Sequence, residues 1–265
     1  MSNFKLLSNQ KEILDIARMV LTKESNSIKD LINQLNSQFI EVVNLILNSK
    51  GKLIITGIGK SAIVSMKISS TLNSTGTSSV FLHAADAMHG DLGLVNPNDL
   101  VVIISNSGSS NEIKDLVPHL KKRGNIIISI TGGLKSFLAK ESDYLLSCFI
   151  KEEACPNNLA PTSSTTTQMA LGDALAVSLL KLRGFKKEDF ASHHPGGSLG
   201  KKLNLKLKDL ASKNPIPKVR DVSKINEVIK EITSNRLGIT LVMNNNNLLG
   251  IITDGDIRRM IDDNE

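Results

Sequence analysis

Two stretches of this sequence carry residues suited to holding an anion. Gly57-Ile58-Gly59-Lys60-Ser61 and Ser105-Asn106-Ser107-Gly108-Ser109-Ser110-Asn111-Glu112 each follow an apolar β-branched run and each open a helical pattern. Glycine lets a ligand approach the main chain, serine hydroxyls donate hydrogen bonds, and unpaired N–H groups at a helix start favour negative charge. Together they describe a phosphate cradle. A nucleotide P-loop is excluded because Ile54 stands where its first glycine belongs, and a dinucleotide fingerprint because no third glycine follows Gly57 and Gly59 at the required spacing. A phosphorylated sugar fits better. The run Thr162-Ser163-Ser164-Thr165-Thr166-Thr167 holds more hydroxyls in succession than a single helix cap requires. Thr162, Ser163 and Thr165 therefore join Gly59, Ser61, Ser105, Ser107, Ser109 and Ser110 as candidate substrate-binding residues.

The titratable side chains beside these loops suit proton transfer. Moving a proton between adjacent carbons of a sugar requires a base that takes and returns it, and a donor or cation that stabilises the developing enediolate oxygen. Glu112 closes the serine loop, Glu153 follows a later apolar run, and Lys60 sits in the first loop. Each has an ordinary alternative: a helix-start charge for Glu112, a loop carboxylate for Glu153, a solvated cation for Lys60. Their common position after strand ends favours function. Of the histidines, His89 lies in Ala87-Met88-His89-Gly90-Asp91 and His194 precedes Pro195-Gly196-Gly197, both in glycine-containing loops where a catalytic imidazole is better placed than in a core.

Chemistry of this kind needs a scaffold that gathers loops at one end. Five short β-branched runs, at 52–56, 79–82, 100–105, 125–130 and 144–148, alternate with stretches long enough for crossover helices. Runs such as Val101-Val102-Ile103-Ile104 are apolar on both faces, as strands covered on both sides must be. The expected fold class is α/β, a doubly wound five-stranded parallel sheet flanked by helices. Two amphipathic helices, 11–21 and 28–47, precede it, and a polar loop at 151–167 leads to a long helix at 168–182. Beyond residue 205 the composition changes. Residues 206–265 read as a small α+β unit, with a helix at 225–234, strands at 239–243 and 249–253, and a helix at 256–261.

Composition removes several function classes. Net charge is +6, but the lysines are scattered in pairs and only 3% of residues are aromatic, so no stacking platform for nucleic acid is expected. No apolar run reaches the length of a membrane helix, and residues 1–10 lack a signal pattern, so a cytoplasmic protein without a membrane partner is expected. Cys148 and Cys155 form neither a disulfide framework nor a zinc pattern.

The two loops, together with Asp86-Ala87-Met88-His89-Gly90-Asp91-Leu92-Gly93, Glu153-Ala154-Cys155-Pro156, Leu159-Ala160-Pro161-Thr162, Gly172-Asp173-Ala174-Leu175-Ala176 and His194-Pro195-Gly196-Gly197, resemble the sugar isomerase (SIS) domain of the arabinose-5-phosphate isomerases. Asp254-Gly255-Asp256-Ile257-Arg258-Arg259 resembles a CBS motif, an adenosyl-ligand-binding module often fused to these enzymes. The resemblance implies interconversion of D-arabinose 5-phosphate and D-ribulose 5-phosphate, supplying the octulosonate of lipopolysaccharide or capsule. By position it puts the functional residues at Lys60, Glu112, Glu153 and His194, with His89 in support. Glu112 would shuttle the proton, Glu153 would be the second carboxylate, Lys60 would face the enediolate and His194 would assist ring opening. It implies no metal and no cofactor, and a homotetramer whose sites are shared between subunits. The family usually carries two CBS motifs, whereas one is read here. A regulatory sugar-phosphate sensor would usually add a helix-turn-helix, and an aminosugar enzyme an amine-handling element; neither is evident.

Overall fold

The computed structural model describes residues 2–196 and 215–262. The chain divides into two compact units, Met1–His194 and Pro195–Glu265. The boundary expected at 205/206 lies outside the described residues, as does Gly197.

The first unit begins with α1 (Ser2–Ile32) and α2 (Ser37–Asn48). The break between them falls later than the sequence pattern suggests. The polar residues at 24–27 do not interrupt the helix, because Ser27 donates its hydroxyl proton to the Lys23 carbonyl one turn back and the backbone bonds continue. The chain turns only where Asn36 caps α2, its side-chain oxygen accepting from Gln38 N.

The sheet then builds from β1 (Leu53–Gly57), β2 (Ser79–His83), β3 (Leu100–Ile104), β4 (Ile127–Thr131) and β5 (Tyr144–Ser147), all parallel, in the order β2-β1-β3-β4-β5. Crossovers are α3 (Lys60–Ser74), the short α4 (Ala84–Ala87) with a 3-10 turn at Asp91–Leu94, α5 (Asn111–Lys122) and α6 (Phe137–Glu141). Both faces are covered. Leu53, Ile55, Val102 and Ile104 pack with α2, α3 and α7 (Ser163–Leu182), while Ile54, Val101 and Ile103 pack with α4, α5 and α6. The alternation along each strand feeds two separate apolar layers, which explains why these runs have no polar face.

A buried carboxylate fixes the start of the central strands. Asp99 accepts from Lys52 N at 3.0 Å, Lys52 Nζ at 2.7 Å and Asn96 N at 2.8 Å. Burial would raise its pKa, but the hydrogen bonds and charge of Lys52 and the Asn96 amide outweigh it and hold the group below its ordinary 3.8. A depressed carboxylate stabilises the fold above its unfolded pKa, and that contribution is lost as pH falls through the folded value. Asp99→Ala is expected to cost about 1–3 kcal/mol at neutral pH. Denaturant unfolding at pH 7 and again at the acid end should show the gap between variant and parent closing in acid; a gap independent of pH would remove the ion pair from the account.

α7 starts five residues earlier than expected. Thr167 Oγ1 donates to the carbonyls of Ser163 and Ser164, and Thr165 Oγ1 to those of Pro161 and Thr162. The threonine hydroxyls that read as loop chemistry bond back inside a helical turn, while Ser163 Oγ and Ser164 Oγ are buried without a partner among the described residues. α8 (Lys187–His193) ends this unit's helices.

The second unit contains β6 (Lys218–Arg220), α9 (Ile225–Asn235), β7 (Ile239–Asn244), β8 (Asn247–Thr253) and α10 (Asp254–Asp262), with sheet order β6-β7-β8. The charged three-residue β6 gave no sequence signal. Asp256 accepts from Thr253 N and Oγ1 and pairs with Arg259, so its carboxylate serves the start of α10.

Candidate active site

In the order β2-β1-β3-β4-β5 the direction of winding reverses between β1 and β3, and the crevice beyond that point is where ligands bind in open parallel sheets. Gly57, the last residue of β1, lies opposite His83 on one side and Ile104 on the other. Three exits therefore leave the sheet side by side: Ile58-Gly59-Lys60, the α4 segment leading to His89, and the serine loop. Gly57 is required here, since a Cβ would sit 2.9 Å from the Ile104 carbonyl oxygen and 3.1 Å from the Ser61 carbonyl carbon.

The serine loop is a built cradle. Ser105 Oγ, buried, accepts from Gly108 N at 3.1 Å, and Ser107 Oγ, exposed, accepts from Ser109 N at 3.4 Å. Gly108 takes φ +62, a left-handed conformation that turns the chain into α5. From behind, Thr131 Oγ1 and Gly133 N donate to the Asn106 carbonyl, and Leu138 N to the Gly108 carbonyl. The first α5 amide bonded back to the N-cap Ser110 is that of Lys114, so the helix start offers free N–H groups toward the crevice end of the sheet. Ser110 Oγ is buried at that N-cap without a partner.

Glu112 follows in the first turn of α5, half-buried, and Lys60 is the first residue of α3, exposed, with Gly59 at the cap at φ +59. Neither side chain has an ion-pair or hydrogen-bond partner among the described residues. A cation at a helix start opposes the helix dipole, so Lys60 costs stability where it stands unless an anion meets it. Ser61 donates to Gln168 Oε1 at 3.2 Å. His89 is exposed on the neighbouring exit and its side chain has no hydrogen-bond or ion-pair partner among the described residues.

Glu153 differs from Glu112 in every respect. It is only 7% exposed, and its Oε2 accepts from Thr162 N at 2.8 Å, Thr162 Oγ1 at 3.1 Å and Ser164 N at 3.1 Å. Burial would raise its pKa, but the hydrogen bonds from Ser164 and Thr162 outweigh it, and the carboxylate is held below its ordinary 4.5. Ser163 is fully buried in the first turn of α7. The threonines of the run are engaged in starting α7: Thr162 bonds Glu153, and Thr165 turns back onto the preceding carbonyls, while the Ser163 and Ser164 hydroxyls are buried without partners among the described residues.

His194 bonds and stacks within its own segment. Its Nδ1 lies 3.0 Å from the Phe190 carbonyl and its ring stacks on Phe190 at 4.0 Å. The 20-residue α7, about 30 Å long, and the seven-residue α8, about 10 Å long, lie between the hydroxyl run and His194 in the chain. His193, next to it, lines a groove with Met66, Asn73 and Phe81, alongside the middle and end of α3 rather than its start. Sequence reasoning missed Gln168, read only as a helix residue, and the Gly132-Gly133 pair that backs the serine loop. A double glycine directly after a strand was the available signal for the latter.

Comparison with known proteins agrees with this geometry. The SIS domain family model matches residues 46–178 and the CBS domain model residues 207–263. Arabinose 5-phosphate isomerase KpsF of Escherichia coli O6:H1 is 47% identical over 252 residues, covering 94% of this chain and 77% of that protein. Arabinose 5-phosphate isomerase KdsD of Pseudomonas aeruginosa is 42% identical over 258 residues, covering 97% of this chain and 79% of that protein. Among solved structures, the c3406 protein of E. coli CFT073 in complex with arabinose 5-phosphate superposes with a TM-score of 0.68 at 37% identity, over 70% of this chain and 98% of that one.

Proposed function

Since this chain belongs to the SIS-domain arabinose 5-phosphate isomerase family, we propose that its switch-point crevice interconverts D-arabinose 5-phosphate and D-ribulose 5-phosphate. It is an aldose–ketose isomerase. The observation that carries the reading is the pairing of an anion cradle with an unengaged carboxylate in the first turn of the same helix, beside a cation on the adjacent exit. The phosphate is held by Ser107, Ser109, Ser110 and the α5 amides. Glu112 removes the C2 proton of the open-chain aldose, the electron pair passes to the carbonyl oxygen, and the resulting enediolate is stabilised by Lys60. Return of the proton to C1, with transfer of the hydroxyl proton from O2 to O1, yields the ketose. No oxidant or reductant is consumed.

His194 is assigned to ring opening in a neighbouring subunit's site, a reading supported by its having Phe190 as its hydrogen-bond and stacking partner rather than any other candidate residue. A homotetramer provides that neighbour. Ile13, Leu14, Ile16 and Leu21 of α1 are exposed apolar side chains that a second copy would cover. No helix among the described residues is long and apolar enough to cross a membrane, in keeping with a cytoplasmic role supplying octulosonate for lipopolysaccharide or capsule.

Purified protein assayed against pentose, hexose and aminosugar phosphates should turn over the pentose phosphate pair; turnover confined to another sugar phosphate would overturn the assignment. Ser107→Ala with Ser109→Ala should raise KM and weaken inhibition by inorganic phosphate together, each by about tenfold for roughly 1.4 kcal/mol of lost hydrogen bonding. An unchanged phosphate inhibition constant would place the phosphate elsewhere.

A further inference from the structure

The isomerase reading leaves the second carboxylate without a distinct task, and the packing around it supplies one. Glu153 and the start of α7 form a closed set of hydrogen bonds. Beyond the three donors on its Oε2, Glu153 gives its own N–H to Asn158 Oδ1 at 2.7 Å, and Thr162 Oγ1 accepts from Ala154 N at 2.9 Å. Asn158 takes φ +53, a left-handed turn that folds 154–160 back on itself. A carboxylate with this many fixed donors satisfies the free N–H groups of a helix start and the dipole behind them. All three donors meet Oε2, so the carboxylate is anchored through one oxygen, whereas Glu112 is anchored through neither.

The helix it starts is rigidly tied to the cradle. Gly172 of α7 packs so closely on α3 that a Cβ would lie 2.3 Å from Ile68 Cδ1, and Lys67 pairs with Asp173. One turn above that contact, Gln168 has no exposed surface, and its Oε1 accepts from Ser61 Oγ at 3.2 Å while its Nε2 is left without a partner. A buried amide that forgoes half its hydrogen bonds is costly. It is retained where it meets Ser61, the second residue of α3.

Resting on the isomerase reading, we propose that Glu153 and Gln168 are positioning residues: Glu153 sets the first turn of α7, and Gln168 carries that setting across to Ser61 at the mouth of the crevice. Glu112 alone moves the proton between carbons. The second carboxylate acts on substrate only through the place it gives to Ser61.

The test compares Glu153→Gln, Gln168→Met, Gln168→Glu and Glu112→Gln in the full chain, reading kcat and KM for arabinose 5-phosphate across pH, with thermal unfolding alongside. Glu153→Gln keeps an acceptor oxygen in place. It should raise KM by about tenfold, the cost of one misplaced hydrogen bond, while leaving both limbs of the kcat–pH profile where they were. Gln168→Met should raise KM to a similar degree with kcat within about threefold of the parent, and Gln168→Glu, which restores an acceptor for Ser61, should recover most of the loss; threefold is well under the smallest general-base effect. Loss of a limb of the profile in Glu153→Gln, or a fall in its kcat matching that of Glu112→Gln, would overturn the proposal and give Glu153 the proton. Equal KM in Gln168→Met and parent would break the link to Ser61. Should Glu153→Gln fail to fold, the two Gln168 variants decide the matter. Failure of the parent to turn over any pentose phosphate would instead strike the isomerase reading itself.

Discussion

Glu112→Gln keeps the fold and loses at least about a hundredfold in kcat, the lower end of what a positioned general base contributes. The size of the effect follows from what Glu112 does not do. It is half-buried in the first turn of α5, and among the described residues its side chain has no hydrogen-bond or ion-pair partner. The substitution conserves shape and removes no contact, so the melting temperature should stay close to that of the parent and the kinetic loss is chemical. Exchange of the substrate's C2 hydrogen with solvent gives a second readout, and it should fall in parallel with turnover. A variant with near-normal kcat and exchange would take proton transfer away from the α5 start and leave the serine loop as a binding element only.

Gly108→Ala is expected to damage stability and binding together. The residue sits at φ +62, where a side chain costs about 1–2 kcal/mol. An added Cβ would also lie 2.1 Å from Ser136 Oγ and 2.8 Å from Ser136 Cβ. Ser136 is the N-cap of α6, its Oγ accepting from Ala139 N at 3.2 Å, and loss of such a cap costs about 1 kcal/mol. A combined loss of about 2–3 kcal/mol follows. Because the same displacement moves the Ser107 and Ser109 hydroxyls, KM should rise by at least about tenfold, as for loss of one good hydrogen bond. Denaturant unfolding and steady-state kinetics on one preparation test both halves. Parental stability with parental KM would mean that the loop has room to rearrange and that its shape is not held by Ser136.

The strands were legible because each is apolar on both faces, a pattern that only a sheet sandwiched between helix layers explains, and their spacing required crossovers. The glycines at the β1 and β3 exits pointed to the crevice loops, while the strand order that puts the switch point between β1 and β3 came only with the structure. What sequence could not give was the state of each polar group. Glu112 and Glu153 look alike as carboxylates after a strand, yet one is unengaged and the other is closed in by the turn it helps to start. That difference depends on Thr162 and Ser164 folding back across residues 156–161, which no local pattern encodes. The hydroxyl run likewise exceeds the needs of one cap, but the Thr165 and Thr167 hydroxyls bond back to carbonyls and those of Ser163 and Ser164 are buried. His194 was found by its glycine-rich context, while its stacking on Phe190 came only with the structure.

The place of β1 between β2 and β3 also governs how the molecule reaches its native state. No two neighbouring strands of the large sheet are joined by a hairpin: each pairing waits for a helix to cross over, and Gly57 meets Ile104 only after β2, α4 and the following turn have been laid down. Closing such distant contacts spends chain entropy before any pairing repays it, which makes parallel sheets slow to form. The β7–β8 pair of the C-terminal unit, joined across Asn245 and Asn246, meets no such delay. During synthesis the first crevice loop therefore emerges long before the second, and Ser61 acquires its Gln168 partner later still. The crevice is among the last parts of the SIS unit to become complete, and an interrupted chain has no partial version of it.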